Sequence, residues 1–322
     1  MISSNNLGFW GKFKKPIFVL APMADVTDCA FRQIINKYGK PDVFWTEFVS
    51  ADGLAHSKAR EKLLIDLKYS ESEHPIVAQI FGGRPENIRE ATKLCRELGF
   101  DGIDINMGCP DKSIEKCLAG AACIKDPKLA REIIRAAKEG ARELPVSVKT
   151  RIGYNKNEIE TWFRELLKED LAVLTVHLRT RKEMSDVPAH WDLMKRIVEI
   201  RNEVAPSTLI FGNGDLADLK DAKQKVKESG CDGAMLGRAI FGNPWLFSEH
   251  VPSLEEKLKV MIEHTKLFEK MLGKHKNFAI MKKHYKAYVN GFEGAKELRM
   301  KLMEAENAEQ VEKTTNDFLE KI

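Results

Sequence analysis

No apolar run in the chain approaches the roughly 20 residues that a membrane-spanning helix needs. The segment Met1 to Lys15 lacks both a long apolar core and a cleavage signature, so it does not read as a signal peptide. The expected compartment is the cytoplasm, where thiols stay reduced. The six cysteines, Cys29, Cys95, Cys109, Cys117, Cys123 and Cys231, therefore read as core residues, ligands or catalysts and not as a disulfide framework. None of them forms the paired C-x2-C spacing of a zinc site, so no metal is expected. A large charge of one sign is also missing: 31% of the residues are charged, yet the net charge is only +4. That balance permits nucleic-acid binding without demanding it, and the location of the positive charge matters more than its sum. Glycine is absent from the first strand-to-helix turn, Ala21-Pro22-Met23-Ala24-Asp25, which argues against a doubly wound nucleotide-binding sheet.

What the chain does contain is one pattern repeated eight times. A short apolar run is followed by a polar or Gly-rich turn and then by an amphipathic helix. The runs are Ile17–Leu20, Val43–Thr46, Ile76–Ile80, Gly102–Ile105, Val146–Lys149, Val173–Val176, Thr208–Phe211 and Gly233–Leu236. They lack strict polar alternation, as expected of strands buried on both faces. Helices are expected at Thr27–Tyr38, Pro85–Leu98, Pro127–Leu144, Glu158–Glu169, Trp191–Val204 and Leu216–Ser229, and Ala51–Asp66 also has helical character. Pro85 and Pro127 stand where a first-turn proline belongs, and Asp126 suits an N-cap. Eight such units in 322 residues define an α/β class fold, a (β/α)8 TIM barrel followed by a small C-terminal helical domain. The expected division is 1–248 for the barrel and 249–322 for the helices. The helical part is one-sided in charge between Lys270 and Lys301, where nine lysines and arginines, with His275 and His284, face only Glu293 and Glu297.

Barrel enzymes work at the C-terminal ends of their strands. That rule selects Pro22, Met23 and Ala24; Glu47; Gln79; Asn106 and Cys109; Lys149 and Arg151; His177 and Arg179; Asn213 and Gly214; Gly237 and Arg238. Phe211-Gly212-Asn213-Gly214-Asp215 follows the seventh run, and Leu236-Gly237-Arg238-Ala239 follows the eighth and opens a short helix. Alone, each glycine pair is an ordinary tight turn. Together, at the two loops where this fold commonly holds phosphate, they favour a phosphorylated ligand. Lys149 in a barrel mouth needs either a carboxylate partner or a role in stabilising negative charge on a cofactor ring. A lone cysteine is usually a small hydrophobe. Cys109, in Asn106-Met107-Gly108-Cys109-Pro110, instead stands on a loop at the catalytic face, where a thiol could act as acid or nucleophile.

Read in order, these segments resemble the tRNA-dihydrouridine synthases. The matching motifs are Ala21-Pro22-Met23-Ala24-Asp25-Val26-Thr27-Asp28, Gln79-Ile80-Phe81-Gly82, and Asp104-Ile105-Asn106-Met107-Gly108-Cys109-Pro110. They continue with Val148-Lys149-Thr150-Arg151, Val176-His177-Leu178-Arg179-Thr180-Arg181, Gly212-Asn213-Gly214-Asp215 and Leu236-Gly237-Arg238-Ala239. Met281-Lys282-Lys283-His284-Tyr285, through Gly291 to Arg299, looks like the family's helical domain. The resemblance implies FMN as cofactor, NADPH as reductant and tRNA as partner. It implies that Pro22, Met23 and Ala24 pack along the flavin, and that Gln79 and Lys149 bond its polar edge. It places His177, Asn213, Gly214, Asp215, Gly237 and Arg238 around the ribityl phosphate. Cys109 becomes the general acid; Asn106, Arg151, Arg179 and Arg181 lie near the target base or its phosphates; Lys282 and Lys283 grip RNA. The chain departs from the family pattern after the cysteine, where Glu115-Lys116-Cys117-Leu118-Ala119 replaces a glycine-rich run.

Two other readings stand beside this one. An FMN barrel reducing a free small molecule, of the dihydropyrimidine or dihydroorotate dehydrogenase type, would share the phosphate loops and the lysine but leave the basic tail unexplained. A non-catalytic RNA-binding module would need neither Cys109 nor Lys149.

Overall fold

The computed structural model describes residues 6–321. Residues 1–5, which begin the segment read above as lacking a signal sequence, and residue 322 lie outside the described part. The strands are β1 (Ile17–Leu20), β2 (Phe44–Ser50), β3 (Ile76–Phe81), β4 (Gly102–Met107), β5 (Val146–Arg151), β6 (Val173–His177), β7 (Leu209–Asn213) and β8 (Gly233–Leu236). All pair in parallel, in the order β1-β8-β7-β6-β5-β4-β3-β2. A parallel bridge between Val19 and Val43 closes the ring. Asp42 reinforces that short seam: its N–H donates to the Phe18 carbonyl (3.0 Å), and its carboxylate accepts from the Phe18 N–H (2.7 Å).

The helices follow in chain order as α1 (Cys29–Tyr38), α2 (Ala51–Ala55), α3 (Ser57–Leu63), α4 (Pro85–Glu97), α5 (Lys112–Glu115) and α6 (Pro127–Ala141). Then come α7 (Ile159–Leu167), α8 (Met194–Val204), α9 (Leu219–Ser229), α10 (Leu254–Leu272), α11 (Met281–Tyr288), α12 (Ala295–Glu304) and α13 (Ala308–Leu319). Their starts are set by local chemistry. Asp28, Asp126 and Asp218 accept from the first-turn amides of α1, α6 and α9, and Ser253 with Glu256 forms a capping box on α10. The expected helix across Ala51–Asp66 is split into α2 and α3 at His56, whose backbone is extended.

Two apolar cores result. Inside the ring, Val19, Trp45, Val77, Val173, Phe211 and Met235 fill the barrel. Trp10, from a short 3-10 helix at Gly8–Lys12, plugs its lower end against Trp45 and Phe211, with ring centroids 5.7 and 5.6 Å apart. The second core lies between the strands and the outer helices and continues without a break into α10–α13. The helical segment is anchored on α1: Phe31 stacks on His264 at 4.6 Å, and Glu263 accepts from Lys37 (2.7 Å) and Tyr38 (2.6 Å). No described helix is long and apolar enough to cross a membrane.

Candidate active site

The strand register gathers the polar strand ends. Gln79 lies beside Asp104, Asn106 beside Lys149, and Arg151 beside His177, which is followed by Asn213 and Met235. Above them opens a cavity of about 480 Å³. Of the residues expected at the site, Pro22, Met23, Lys149, Arg151, His177 and Arg179 line it, and so do Asn213, Gly214, Asp215, Gly237 and Arg238. Ala24, Gln79, Asn106, Cys109 and Arg181 do not line it directly, and Lys282 and Lys283 stand apart, half-buried on α11. Sequence reasoning missed Met184 and Ser185, which reach the cavity from the long connection between β6 and α8. The length of that connection, well beyond an ordinary strand-to-helix loop, was the available signal.

At the base of the cavity Lys149 makes no direct ion pair among the described residues, and the buried Asp104 carboxylate favours its cation only from a distance. Its Nζ donates to the neutral Asn213 Oδ1 at 3.2 Å, and Asn213 is fixed by donating to the Met235 carbonyl at 2.8 Å. Burial, with the Arg151 charge nearby, lowers its pKa to about 8. His177 is driven well below the usual histidine range by burial and by the charges of Arg151, Lys149 and Arg179. It is therefore a neutral ring, and its Nε2 accepts from Arg179 (3.2 Å). One wall is a backbone concavity. Gly214 has φ 125° and Asp215 φ 49°, two successive residues in the left-handed region. A Cβ on Gly214 would lie 2.9 Å from Ala189 Cβ, so the position is closed to larger residues on steric as well as torsional grounds. Turns of this kind point successive N–H groups into one hollow and suit an anion.

The structure also shows what these charges are already doing. The Asp215 carboxylate is paired with Arg179 and, at 2.7 Å, with Arg238, so only its main chain faces an anion favourably. The short helix after Gly237 is a single 3-10 turn, Arg238–Ile240, and offers far less dipole than a full helix. Gln79 is fully buried, donating to Asp104 Oδ2 at 2.6 Å and accepting from Asn106 at 3.0 Å, which uses two of its amide's four hydrogen-bonding positions. Burial raises the Asp104 carboxyl to about 6.

Asn106 links this network to Cys109. Its Oδ1 accepts from the N–H groups of Gly108 (3.1 Å) and Cys109 (2.9 Å), and the Cys109 carbonyl accepts from Ala121 (2.9 Å). The thiol is half-buried, and burial raises its pKa. Arginines lace its loop to the β6 side. Arg151 donates to the carbonyls of Gly108 (2.8 Å), Thr180 (3.1 Å) and Met184 (3.0 Å). Arg181 makes a two-pronged pair with Glu115 (3.0 and 2.6 Å) and lies over the Tyr154 ring. Glu115 belongs to the segment that departs from the family pattern, so this chain pins its cysteine loop with an ion pair. Glu115→Ala is therefore expected to speed amide exchange across residues 109–121 while costing about 1 kcal/mol of global stability. Unchanged exchange would show that the other contacts suffice.

The basic stretch from Lys270 to Lys301 is not one solvated face. Lys276 is nearly buried among carboxylates, His284 lies in the core between Phe31 and Phe241, and Arg299 donates to the Val289 carbonyl (2.6 Å). Lys270, Lys274, Lys286, Lys296 and Lys301 are exposed.

Fold and mouth together define a (β/α)8-barrel whose cavity holds a left-handed turn at Gly214–Asp215 and a desolvated lysine, with a thiol on a fixed loop nearby. The family model for dihydrouridine synthase (Dus) matches residues 19–322, and the chain belongs to that family. A relative from Staphylococcus aureus (strain Mu50), described as a probable tRNA-dihydrouridine synthase, is 41% identical over 316 residues, 96% of this chain and 95% of that protein. A probable tRNA-dihydrouridine synthase 2 from Bacillus subtilis (strain 168) is 42% identical over 316 residues, 96% of each. Among solved structures, a morphinone reductase variant in complex with tetrahydroNAD shares the fold at a TM-score of 0.52 and 14% identity, covering 78% of this chain and 92% of the other. A variant of NCR from Zymomonas mobilis gives 0.51 at 16% identity, with 77% and 92% covered.

Proposed function

We propose that this protein reduces the C5–C6 double bond of specific tRNA uridines to dihydrouridine, with FMN as cofactor and NADPH as reductant. The observation that carries the cofactor assignment is the pairing of an under-compensated Lys149 with the left-handed Gly214–Asp215 hollow, two anion-seeking features in one cavity. Lys149 and Gln79 would face the polar edge of the ring. Pro22, Met23 and Ala24 would lie along it, and His177, Asn213, Gly214, Gly237, Arg238 and the main chain of Asp215 would surround the phosphate. Bound and reduced, FMN would supply the hydride that enters uracil C6.

The chain's own residues account for the rest. A uridine stacked in RNA cannot enter the mouth, so it has to be turned out at a cost of about a few kcal/mol. Cys109 holds a proton through neutral pH and would deliver it to C5. Asn106 fixes the amides on which that thiol is mounted, and Arg151 and Arg181 keep its loop closed against the β6 side. Residues 249–322 are proposed as the RNA-binding domain, with Lys282 and Lys283 beside the exposed lysines of that region.

The test is positional mapping of dihydrouridine in tRNA from cells lacking the gene, with rescue by the wild type. Loss at defined positions is expected. No change at any position, with no redundant enzyme present, would move the assignment to reduction of a free small molecule. A second expectation concerns the RNA surface: Lys282→Glu with Lys283→Glu should weaken tRNA binding about tenfold or more and leave flavin reduction by NADPH unchanged. Unaltered affinity would remove these lysines from the interface.

A further inference from the structure

Lys276 lies in the connection between α10 and α11, far along the chain from the barrel mouth. Its ammonium nevertheless reaches three carboxylates of the barrel: Glu47 at 2.9 Å, Asp66 at 2.9 Å and Asp25 at 3.5 Å. The side chains of Lys276 and Glu47 are only 11% and 5% exposed. Glu47 sits where the pairing of β2 with β3 shifts register between Trp45 and Phe48. Its other oxygen accepts from the Asp25 N–H at 2.5 Å. Asp25 has φ 53°, a left-handed conformation that costs a non-glycine residue energy unless its surroundings hold it. The same loop is closed on its other side by Thr27, which accepts from the Met23 N–H at 2.9 Å and whose own N–H donates to the Met23 carbonyl at 3.0 Å. Pro22 and Met23 then line the cavity.

These contacts form one chain of causes. A cation from the helical segment neutralises Glu47, Glu47 holds Asp25 in its left-handed turn, and that turn sets Pro22 and Met23. Without the cation, the buried Glu47 carboxylate, which burial already raises to about 7, loses its offsetting charge beside Asp66 and the half-exposed Asp25, and the hold on the turn weakens. We propose that Lys276 is a positioning residue: from the helical segment it fixes the β1–α1 loop in the shape that receives the cofactor ring. The inference rests on the reading of the cavity as an FMN site. It gives the helical segment a task at the mouth, besides any contact with RNA.

The experiment is titration of the apo-protein with FMN, followed by flavin fluorescence, combined with amide exchange across residues 22–28. Lys276→Met is expected to weaken FMN binding about tenfold and to speed exchange in that loop, while the hollow at Gly214–Asp215 stays protected. Lys276→Arg should restore both, because it keeps the cation. Lys276→Met combined with Glu47→Gln should recover part of the affinity, because it removes the uncompensated charge. If Lys276→Met fails to fold, the comparison of Glu47→Ala with the wild type carries the test, since alanine removes the oxygen that accepts from the Asp25 N–H and so loosens the loop. Wild-type affinity and unchanged loop exchange in Lys276→Met, or in Glu47→Ala where that comparison is used, would overturn the proposal. Failure of the wild-type apo-protein to bind FMN would instead overturn the cofactor assignment on which it stands.

Discussion

Cys109→Ala is expected to lower turnover about a hundred- to ten-thousand-fold, the range over which a positioned proton donor contributes, while FMN and tRNA binding are retained. The side chain removed is small and half-buried, and its loop is held by main-chain contacts to Asn106 and Ala121 that alanine keeps. The loss should therefore appear in single-turnover rates with little change in melting temperature. The pH profile separates this role from that of Lys149. Burial raises the thiol's pKa, so the proton is present at neutral pH and is lost only as pH rises through that raised value. Lys149 loses its cation earlier, at about 8. The wild type should show both alkaline limbs, and Cys109→Ala should keep the limb near 8 and lose the upper one. Near-normal turnover in the variant would refute the acid role.

The starts of the strands were legible because each opens on an apolar run buried on both faces. Their ends were read correctly only for β1 and β8. β5 continues to Arg151 and β7 to Asn213, because strands of a barrel end in the polar residues of its mouth, where an apolar criterion stops early. β2 shows the limit most plainly. It runs through Thr46 and Glu47 to Ser50, and Glu47 is tolerated there because a lysine 229 positions away compensates it. No local pattern encodes that pairing. The segment after Cys109 folds as the four-residue α5 and a 3-10 turn at Gly120–Lys125, both too short for helical periodicity to register. Composition likewise counted Lys276 and His284 as parts of a basic surface. A charge count cannot tell a solvated lysine from one enclosed by carboxylates, or a surface histidine from one packed against Phe31. The barrel rule alone singled out Lys149, Arg151, His177 and Asn213, which line the cavity. The commitment of Arg179 and Arg238 to Asp215 required the fold.

The largest stability effect is expected away from the chemistry. Arg32 and Glu73 form an ion pair at 2.6 Å with both side chains fully buried. The guanidinium also donates to the carbonyls of Thr27 (2.8 Å) and Lys68 (2.6 Å), so one side chain ties α1 to the β1–α1 loop and to the β2–β3 connection. Arg32→Met would leave the buried Glu73 carboxylate without its counter-charge, held only by Ser70, and would strip two carbonyls of the guanidinium, at a cost of about 3–5 kcal/mol. In a chain of this size that should lower the melting temperature by on the order of 10 °C. The pair itself need not be strongly stabilising relative to an apolar replacement, because two charges were desolvated to form it. Arg32→Met with Glu73→Leu is therefore expected to recover much of the loss, and a double-mutant cycle followed by thermal melting measures the coupling. The exposed pair of Lys37 with Glu263 is the control, since its removal should cost about 1 kcal/mol or less. Should Arg32→Met cost no more than that control, the β1–α1 loop would owe its position to the Lys276 side of the turn alone. FMN binding in Arg32→Met would then be unimpaired, whereas a destabilised variant should bind it more weakly, because Thr27, which Arg32 holds, is the residue that closes the loop on Met23.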